Sequence, residues 1–521
     1  MSWNKERATQ RINELKQSAL AENIEVSDFA TKYYPNIVKE SAQNDSNKPL
    51  NRPIFKLPYN KAILTNGVHV YANLTNFQNV IKQDDDETEE SHKTMLQFLH
   101  LHYSACDRLA REFGIQRVDF HSGRMHSVVL LPEGANNEFL RIEKALKFSS
   151  ALLSLANEIS DSLTNSRLNS PIRIGVDSGY AVAINGGRGS ESDPLFLGNP
   201  ANEAAKLSEG EDGGIVMSDT VAQEYASHKM LDESVTLVTD QMQNEFISSR
   251  FIDTNTQTIA EQLTEIKQQI IKQDSLIESL DESRSFIFHQ HTPPLKSIKF
   301  ENLCPSNSIR MPIVSIFADL SGFTNYVKQS IENNNIPQMV SNIHILRGEM
   351  TNVLVKDFNG KKIRYIGDCL HGEIAIGTSM EIDLEKTIEG AVLCCGAIRS
   401  SFELCREQLD LEDLGISIGL ELGYTPITRL GLGGENSVRC SSSISVCRSE
   451  DEQRRCNETE TAIGLTGYDN ANSRVQNIFR SGRIVKGLDF SAASRLLSTH
   501  ALVGTNSQTT NTIPRSHNEY K

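Results

Sequence analysis

The sequence predicts an α+β protein written twice: two tandem copies of one domain in which helices cover a single sheet. Three observations carry that expectation. The order strand, helix, hairpin, helix, glycine-bearing strand runs once across about 60–230 and again across about 305–470. The phrase "YANLTNF" at 71–77 returns as "FADLSGF" at 317–323, and each half has a glycine-bearing strand, "IRIGVDSGYAVAIN" in the first and "ISIGLELGYTPITRLG" in the second. A period of about 245 residues marks a whole-domain duplication rather than a solenoid. An antiparallel hairpin set between long helices suits helices packed on one sheet.

The elements run in this order. Residues 1–55 are polar and predict a helical extension. The first domain, 56–235, opens on the strand "GVHVYANL". The acidic run "DDDETEE" at 84–90 reads as a solvated loop, because carboxylates in a run cannot all face one ion. "VDFHSGRMHSVVLLP" is two strands about a Ser-Gly turn, and "EKALKFSSALLSLANEIS" is an amphipathic helix. Residues 236–304 predict a helical linker. In it Ile259, Leu263, Ile266, Ile270, Ile277 and Leu280 form a heptad-spaced seam that suits either one amphipathic connecting helix or a coiled coil between two chains. "HTPPLKS" ends it, since proline cannot continue a helix. The second domain spans 305–490 and a polar tail 491–521.

Composition excludes several classes. The 521 residues carry a net charge of −15 with no basic block, which argues against nucleic acid, whose phosphates need clustered Lys and Arg. No apolar run approaches the roughly 18 residues that cross a bilayer. The start, "MSWNKERATQRINELKQ", reads as a polar helix rather than a signal peptide, so a cytoplasmic chain is expected. Nine scattered cysteines without a CxxC pair suggest reduced thiols, not a disulfide frame or a zinc site.

The two halves differ where chemistry is expected. Asp319 stands where the first half has Asn73, and Gly367-Asp368 aligns with Gly123-Arg124. Either aspartate alone is as readily a turn residue. Present together in one half and lost together from the other, they point to one divalent cation or a close pair of them, Mg²⁺ or Mn²⁺, which prefer hard oxygen ligands. The third element reverses the asymmetry. "NPANEAAKLSE" sets Asn202 and Lys206 one helical turn apart, and a gapped alignment opposes Ser443 and Cys447 to them.

"FADLSGFT", "IRYIGDC" and "RIGVDSGY…FLGNPANEAAKL" resemble the class III nucleotidyl cyclases. The resemblance implies ferredoxin-like βαββαβ sandwiches that pack head to tail, here as a fused pseudo-heterodimer with one working site. It implies that Asp319, Asp368 and the Leu320 carbonyl bind two ions. Asn202 would orient the ribose, and Lys206 would stand where the family has Arg. Phe323 and Thr324 would lie against the nucleotide. Asn73 and Arg124 would mark the inactive site, with Asn73 dispensable. The implied reaction cyclises a nucleoside triphosphate to its 3′,5′-cyclic monophosphate with release of pyrophosphate.

Adenylyl cyclases of this family read adenine with a Lys four residues before the second metal-binding Asp and an Asp or Thr seven before the Asn. Here those positions hold Arg364 and Leu195. Leu195 offers adenine's amine no acceptor, and Arg364 can donate to a pyrimidine carbonyl. These features are similar to those of bacterial anti-phage pyrimidine cyclases. They imply UTP or CTP as substrate and an effector protein that reads the product. A purine cyclase and an inactive nucleotide-binding scaffold are the alternatives. The resemblance is compatible with a monomer holding its own pseudo-dimer or with a coiled-coil dimer.

Overall fold

The computed structural model describes residues 2–43, 54, 57–81, 87–162, 171–186, 194–230, 235–249, 258–279, 286–434, 437–498 and 511–515. The chain divides into two units. One comprises Ile24–Ser285 with Leu430–Val438; the other comprises Met1–Asn23, Phe286–Arg429 and Arg439–Lys521.

The polar start does form a helix, α1 (Lys5–Glu22), capped by the Asn4 side chain on the Arg7 amide. α1 belongs to the carboxy-terminal unit. The rest of the extension is not all helical. β1 (Glu25–Asp28) pairs in parallel with β2 (Lys61–Leu74), and a π-helical turn, Phe29–Tyr33, leads into α2 (Tyr34–Gln43). Phe29, Ile54 and Leu57 bury themselves against Ile63, Val128, Ala181 and Phe196 on one face of the sheet.

In the amino-terminal unit, β2 is followed by α3 (Phe77–Ile81), α4 (Glu89–Glu112), the hairpin β3 (Gln116–His121) and β4 (Arg124–Val129), and α5 (Glu138–Ser162). Then come β5 (Ile172–Asn185), β6 (Pro194–Leu197), α6 (Asn199–Leu207), β7 (Gly214–Met217) and α7 (Asp219–Lys229). The sheet order is β3-β4-β2-β5-β6, with β7 also on β5. Alternation explains its two faces. Val68, Val70, Ala72 and Leu74 are buried toward one side of β2, while His69, Tyr71 and Asn73 point to the other. Of the acidic run, 84–86 lie outside the described residues. Glu89 and Glu90 open α4, where they suit the positive end of the helix.

Residues expected to link the domains form α8 (Asp240–Ser248) and α9 (Ile259–Ser279). α9 packs on α4, α5 and α8 of its own unit. Ile259, Leu263, Ile266 and Ile270 are at most 2 % exposed there, so these four seam residues are core and present no stripe to a second chain. The side chain of Ile277 and all of Leu280 lie outside the described residues.

The carboxy-terminal unit repeats the plan. It contains β8 (Phe288–His289), β9 (Ser308–Ser321), α10 (Phe323–Glu332), α11 (Ile336–Asn352), the hairpin β10 (Lys361–Ile366) and β11 (Cys369–Ile374), β12 (Glu381–Asp383) and α12 (Leu384–Gln408). β13 (Gly415–Leu430), β14 (Val438–Ser441), α13 (Ile444–Arg454), β15 (Glu460–Ile463), α14 (Leu465–Asp469), α15 (Ser473–Ile478) and β16 (Ile484–Lys486) come next. Its sheet order, β10-β11-β9-β13 with β14 and β15 on β13 and β8 on β9, repeats that of the first unit and adds one further strand, β16, on β15. Of the tail, α16 (Phe490–Ser498) lies on α12, and β17 (Thr512–Pro514) pairs with β12. α1 is pinned to this unit by Arg11, whose guanidinium bonds Glu349 at 2.6 and 3.0 Å and Asp357 at 2.9 and 3.0 Å. Four of its five N–H donors are used on the two buried carboxylates, and Asp357 also pairs with Arg7 at 2.9 Å, which offsets the cost of burying these charges.

Candidate active site

The carboxylates come together through strand register. Asp319 sits near the end of β9, opposite Ser417 of β13. β11 pairs antiparallel with β9, Leu370 opposite Ala318, which brings the β10–β11 turn, Gly367-Asp368, beside Leu320. The Leu320 backbone lies close enough to draw the Asp368 carboxyl downward. Both acids are pushed upward. Burial is the main cause for Asp368, and the negative charge of Asp319 adds to it. Asp319 rises to about 6, chiefly through burial, with Arg454 pulling it down and Glu450 pushing it up. The same two carboxylates also raise the buried Cys369 thiol.

Two partly desolvated carboxylates that repel one another fit a hard divalent cation, which removes the repulsion that protonation otherwise relieves. Among the described residues no three His, Cys, Asp or Glu side chains form a cage. A cation here would fill its shell from the Leu320 carbonyl and a substrate's phosphates, as Mg²⁺ commonly does. With its folded pKa above the ordinary carboxylate value of 3.8, Asp319 costs the folded state stability as pH rises from about 4 to about 6. The thermal shift produced by Mn²⁺ is therefore expected to grow as pH rises through about 6, and to shrink in Asp319→Asn; melting curves between pH 5 and 8 check it.

Gly322 separates this pair from the nucleotide-facing candidates. Its φ of +82° is open to glycine, and a Cβ would meet the Asp413 carbonyl oxygen at 2.5 Å. It is the N-cap of α10, so the first turn, Phe323 and Thr324, begins without a side-chain cap. Phe323 is buried. Arg364 is 5 % exposed on β10, close enough to Cys440 on β14 to lower its thiol pKa against the upward push of burial.

Asn202, Lys206 and Leu195 lie in the amino-terminal unit. Asn202 is half-buried and Lys206 exposed, one turn apart on α6; Leu195 is buried on β6 opposite Ile184.

The structure corrects two of the alignments between halves. Asn73 does occupy the place of Asp319, since Asn73 pairs with Arg173 as Asp319 pairs with Ser417. In the hairpins, however, both of which bulge at the same place, His121 pairs with Arg124 and Ile366 with Cys369. Gly123 is thus the counterpart of Asp368, and Arg124 that of Cys369. Ser122, at φ +47°, does what Gly367 does at φ +58°. By the same register Asp119 is the counterpart of Arg364.

On the helices, Gly175 would put a Cβ on the Ala204 carbonyl and Ser208 amide, and Gly419 on the Ser449 carbonyl and Gln453 amide. That equates Asn202 with Cys447 and Lys206 with Asp451. Ser443, the N-cap of α13, matches Gly198, the N-cap of α6. The first half has therefore lost both carboxylates, and the second half has lost both the amide and the cation. Arg347 and Arg454, which draw Asp368 and Asp319 downward, were not singled out by the sequence, because nothing in their helices' spacing marks them.

No family model matches the chain. A protein named uridylate cyclase from a Rhizobium species is 41% identical over 523 residues, covering 96% of this chain and 97% of that one. Another of the same name, from Pseudomonas aeruginosa, is 33% identical over 95% of this chain and 91% of its own length. A solved structure of a class III adenylyl cyclase-like ATP-binding protein from Pseudomonas aeruginosa superposes with a TM-score of 0.78 at 31% identity, over 96% of this chain and all of that one. The fold is that of the class III nucleotidyl cyclases, present here as two tandem domains. Within that class, the chain belongs to the uridylate cyclase family.

Proposed function

We propose that the chain converts UTP to 3′,5′-cyclic UMP and pyrophosphate, using the carboxylates of one unit and the amide and cation of the other. The observation that carries this reading is the pair Asp319 and Asp368, brought to one place in a single unit and answered by Asn73 and Gly123 in the other. Full-length relatives named uridylate cyclase support uracil as the base.

Asp319, Asp368 and the Leu320 carbonyl would hold two divalent cations, Mn²⁺ or Mg²⁺. When bound, these lower the pKa of the ribose 3′-hydroxyl and neutralise charge on the triphosphate. The backbone at Phe323 and Thr324, at the uncapped start of α10, suits phosphate oxygens. Asn202 fixes the ribose for in-line attack on the α-phosphorus, and Lys206 offsets charge on the transferring phosphoryl group. Lysine keeps the charge of the family's arginine but not its bidentate fork. Leu195 gives the base an apolar wall. Arg364 donates to a uracil carbonyl.

The product would act as a second messenger for an effector in anti-phage defence, in the cytoplasm. No helix among the described residues is long and apolar enough to cross a membrane.

Competition among the four triphosphates with Mn²⁺, products identified by mass, tests the reading. Cyclic UMP should dominate. Cyclic AMP as the main product would favour a purine cyclase, and no product a nucleotide-binding scaffold. Arg364→Ala is expected to lower UTP turnover about ten- to hundredfold, as loss of a charged hydrogen bond does. Full turnover in Arg364→Ala with a loss in Asp119→Ala would move the base contact to the equivalent residue of the other unit.

A further inference from the structure

We infer that Asn73 is a positioning residue: the side chain that replaced a metal ligand now fixes the helix carrying Asn202 and Lys206. The inference rests on reading those two residues as substrate-binding groups.

α6 is nine residues long and is held to the sheet at three levels. Near its start, a Cβ at Gly179 would lie 2.9 Å from Pro200 Cγ. At its middle, a Cβ at Gly175 would lie 2.1 Å from the Ala204 carbonyl oxygen, so helix and strand touch backbone to backbone. These contacts set the distance between α6 and β5. They do not satisfy the carbonyls at the helix end, which have no partner within the helix.

Two neighbouring sheet residues meet those carbonyls. Asn73 Nδ2 donates to the Ser208 carbonyl at 3.1 Å. Arg173, directly across from Asn73 in the strand register, donates Nε to the Leu207 carbonyl at 2.9 Å and Nη1 to the Asp212 carbonyl at 3.2 Å. A guanidinium at a helix C-terminus also lies where the helix dipole favours a cation. An amide and a cation from adjacent strands thus fix the end of α6, within two residues of Lys206.

A carboxylate at position 73 could not do this. Ionised, it only accepts hydrogen bonds, and it would face the Ser208 carbonyl oxygen. In the other unit the arrangement is different: Asp319 holds the equivalent place, and Ser417, the counterpart of Arg173, takes a hydrogen bond from Gln453 Nε2 at 2.8 Å. One strand position can hold a metal ligand or a donor to the helix end, not both. The first half gave up the ligand and gained the donor.

The test is steady-state turnover of UTP with Mn²⁺ by the full chain, alongside thermal melting. Asn73→Ala is expected to lower kcat about ten- to hundredfold, as small misplacement of reacting groups does, with KM for UTP within about twofold because metal and phosphate contacts remain. Asn73→Ser, which keeps a donor, should recover part of that loss. Asn73→Asp should lose more at pH 8 and regain activity relative to wild type as pH falls, because a protonated carboxyl donates again. In an Asn202→Ala background, Asn73→Ala should cost less than it costs the wild type, since the part of its effect that passes through Asn202 is already gone while the part through Lys206 remains.

Wild-type kcat in Asn73→Ala beside a strongly impaired Asn202→Ala would overturn the positioning role alone. So would a loss fully additive with Asn202→Ala, or a fall in kcat matched by an equal fall in folded fraction. Wild-type turnover in both Asn202→Ala and Lys206→Ala would overturn the site reading and the inference with it.

Discussion

Asp368→Ala and Asp319→Ala are each expected to abolish measurable cyclisation while leaving the fold intact. Both residues lie at a strand end or in a tight turn, and neither is a core side chain. Removing one also removes the repulsion that raises the other, so stability without metal should hold or rise. Catalysis should collapse for the same reason: the remaining carboxylate holds cations poorly, and the metals' charge stabilisation is worth several kcal/mol, roughly a thousandfold or more in rate. Cyclic nucleotide formation beside circular dichroism checks both halves of the expectation. Turnover near wild type in Asp368→Ala would mean the metals bind elsewhere. The converse repair, Asn73→Asp with Gly123→Asp, should not create a second site, because Cys447 and Asp451 stand where the complementary amide and cation would be needed.

The second large effect belongs to Lys206. Lys206→Ala is expected to cost about a hundred- to thousandfold in kcat, the usual loss when one preorganised group facing developing charge is removed. Lys206→Arg should keep most of the rate. Lys206→Asp, which installs the residue found at the equivalent place in the other half, should be at least as inactive as Lys206→Ala. On the proposed reading one chain supplies both sets of residues, so mixing an Asp368→Ala chain with an Asn202→Ala chain should restore nothing. Restored turnover on mixing would show that the site forms between chains.

Much of this was legible in the sequence because it sits in short phrases. "FADLSGFT" and "IRYIGDC" carry both carboxylates within a few residues of their strands, and the strand-helix-hairpin order needs only periodicity to read. What escaped depends on tertiary contacts. The shared glycine of Gly123 and Gly367 invited the wrong hairpin alignment, whereas pairing shows Ser122 in the left-handed position. The α13 alignment failed because the two helices begin differently, on Gly198 and Ser443. Their true anchors are glycines on another strand, Gly175 and Gly419, far away in sequence. The seam of α9 looked the same whether it faced α4 and α5 or a second chain, because periodicity gives a face and not its occupant. Asn73 looked expendable for a similar reason. Its partner is a carbonyl 135 residues away, and backbone carbonyls leave no mark in sequence.

The most direct test of one working site per chain is the stoichiometry of a non-cyclisable UTP analogue bound in the presence of Mn²⁺, measured by calorimetry. One analogue per chain is expected, lost or greatly weakened in Asp368→Ala and unchanged in Gly123→Ala. Two analogues per chain, or one bound undiminished in Asp368→Ala, would contradict it.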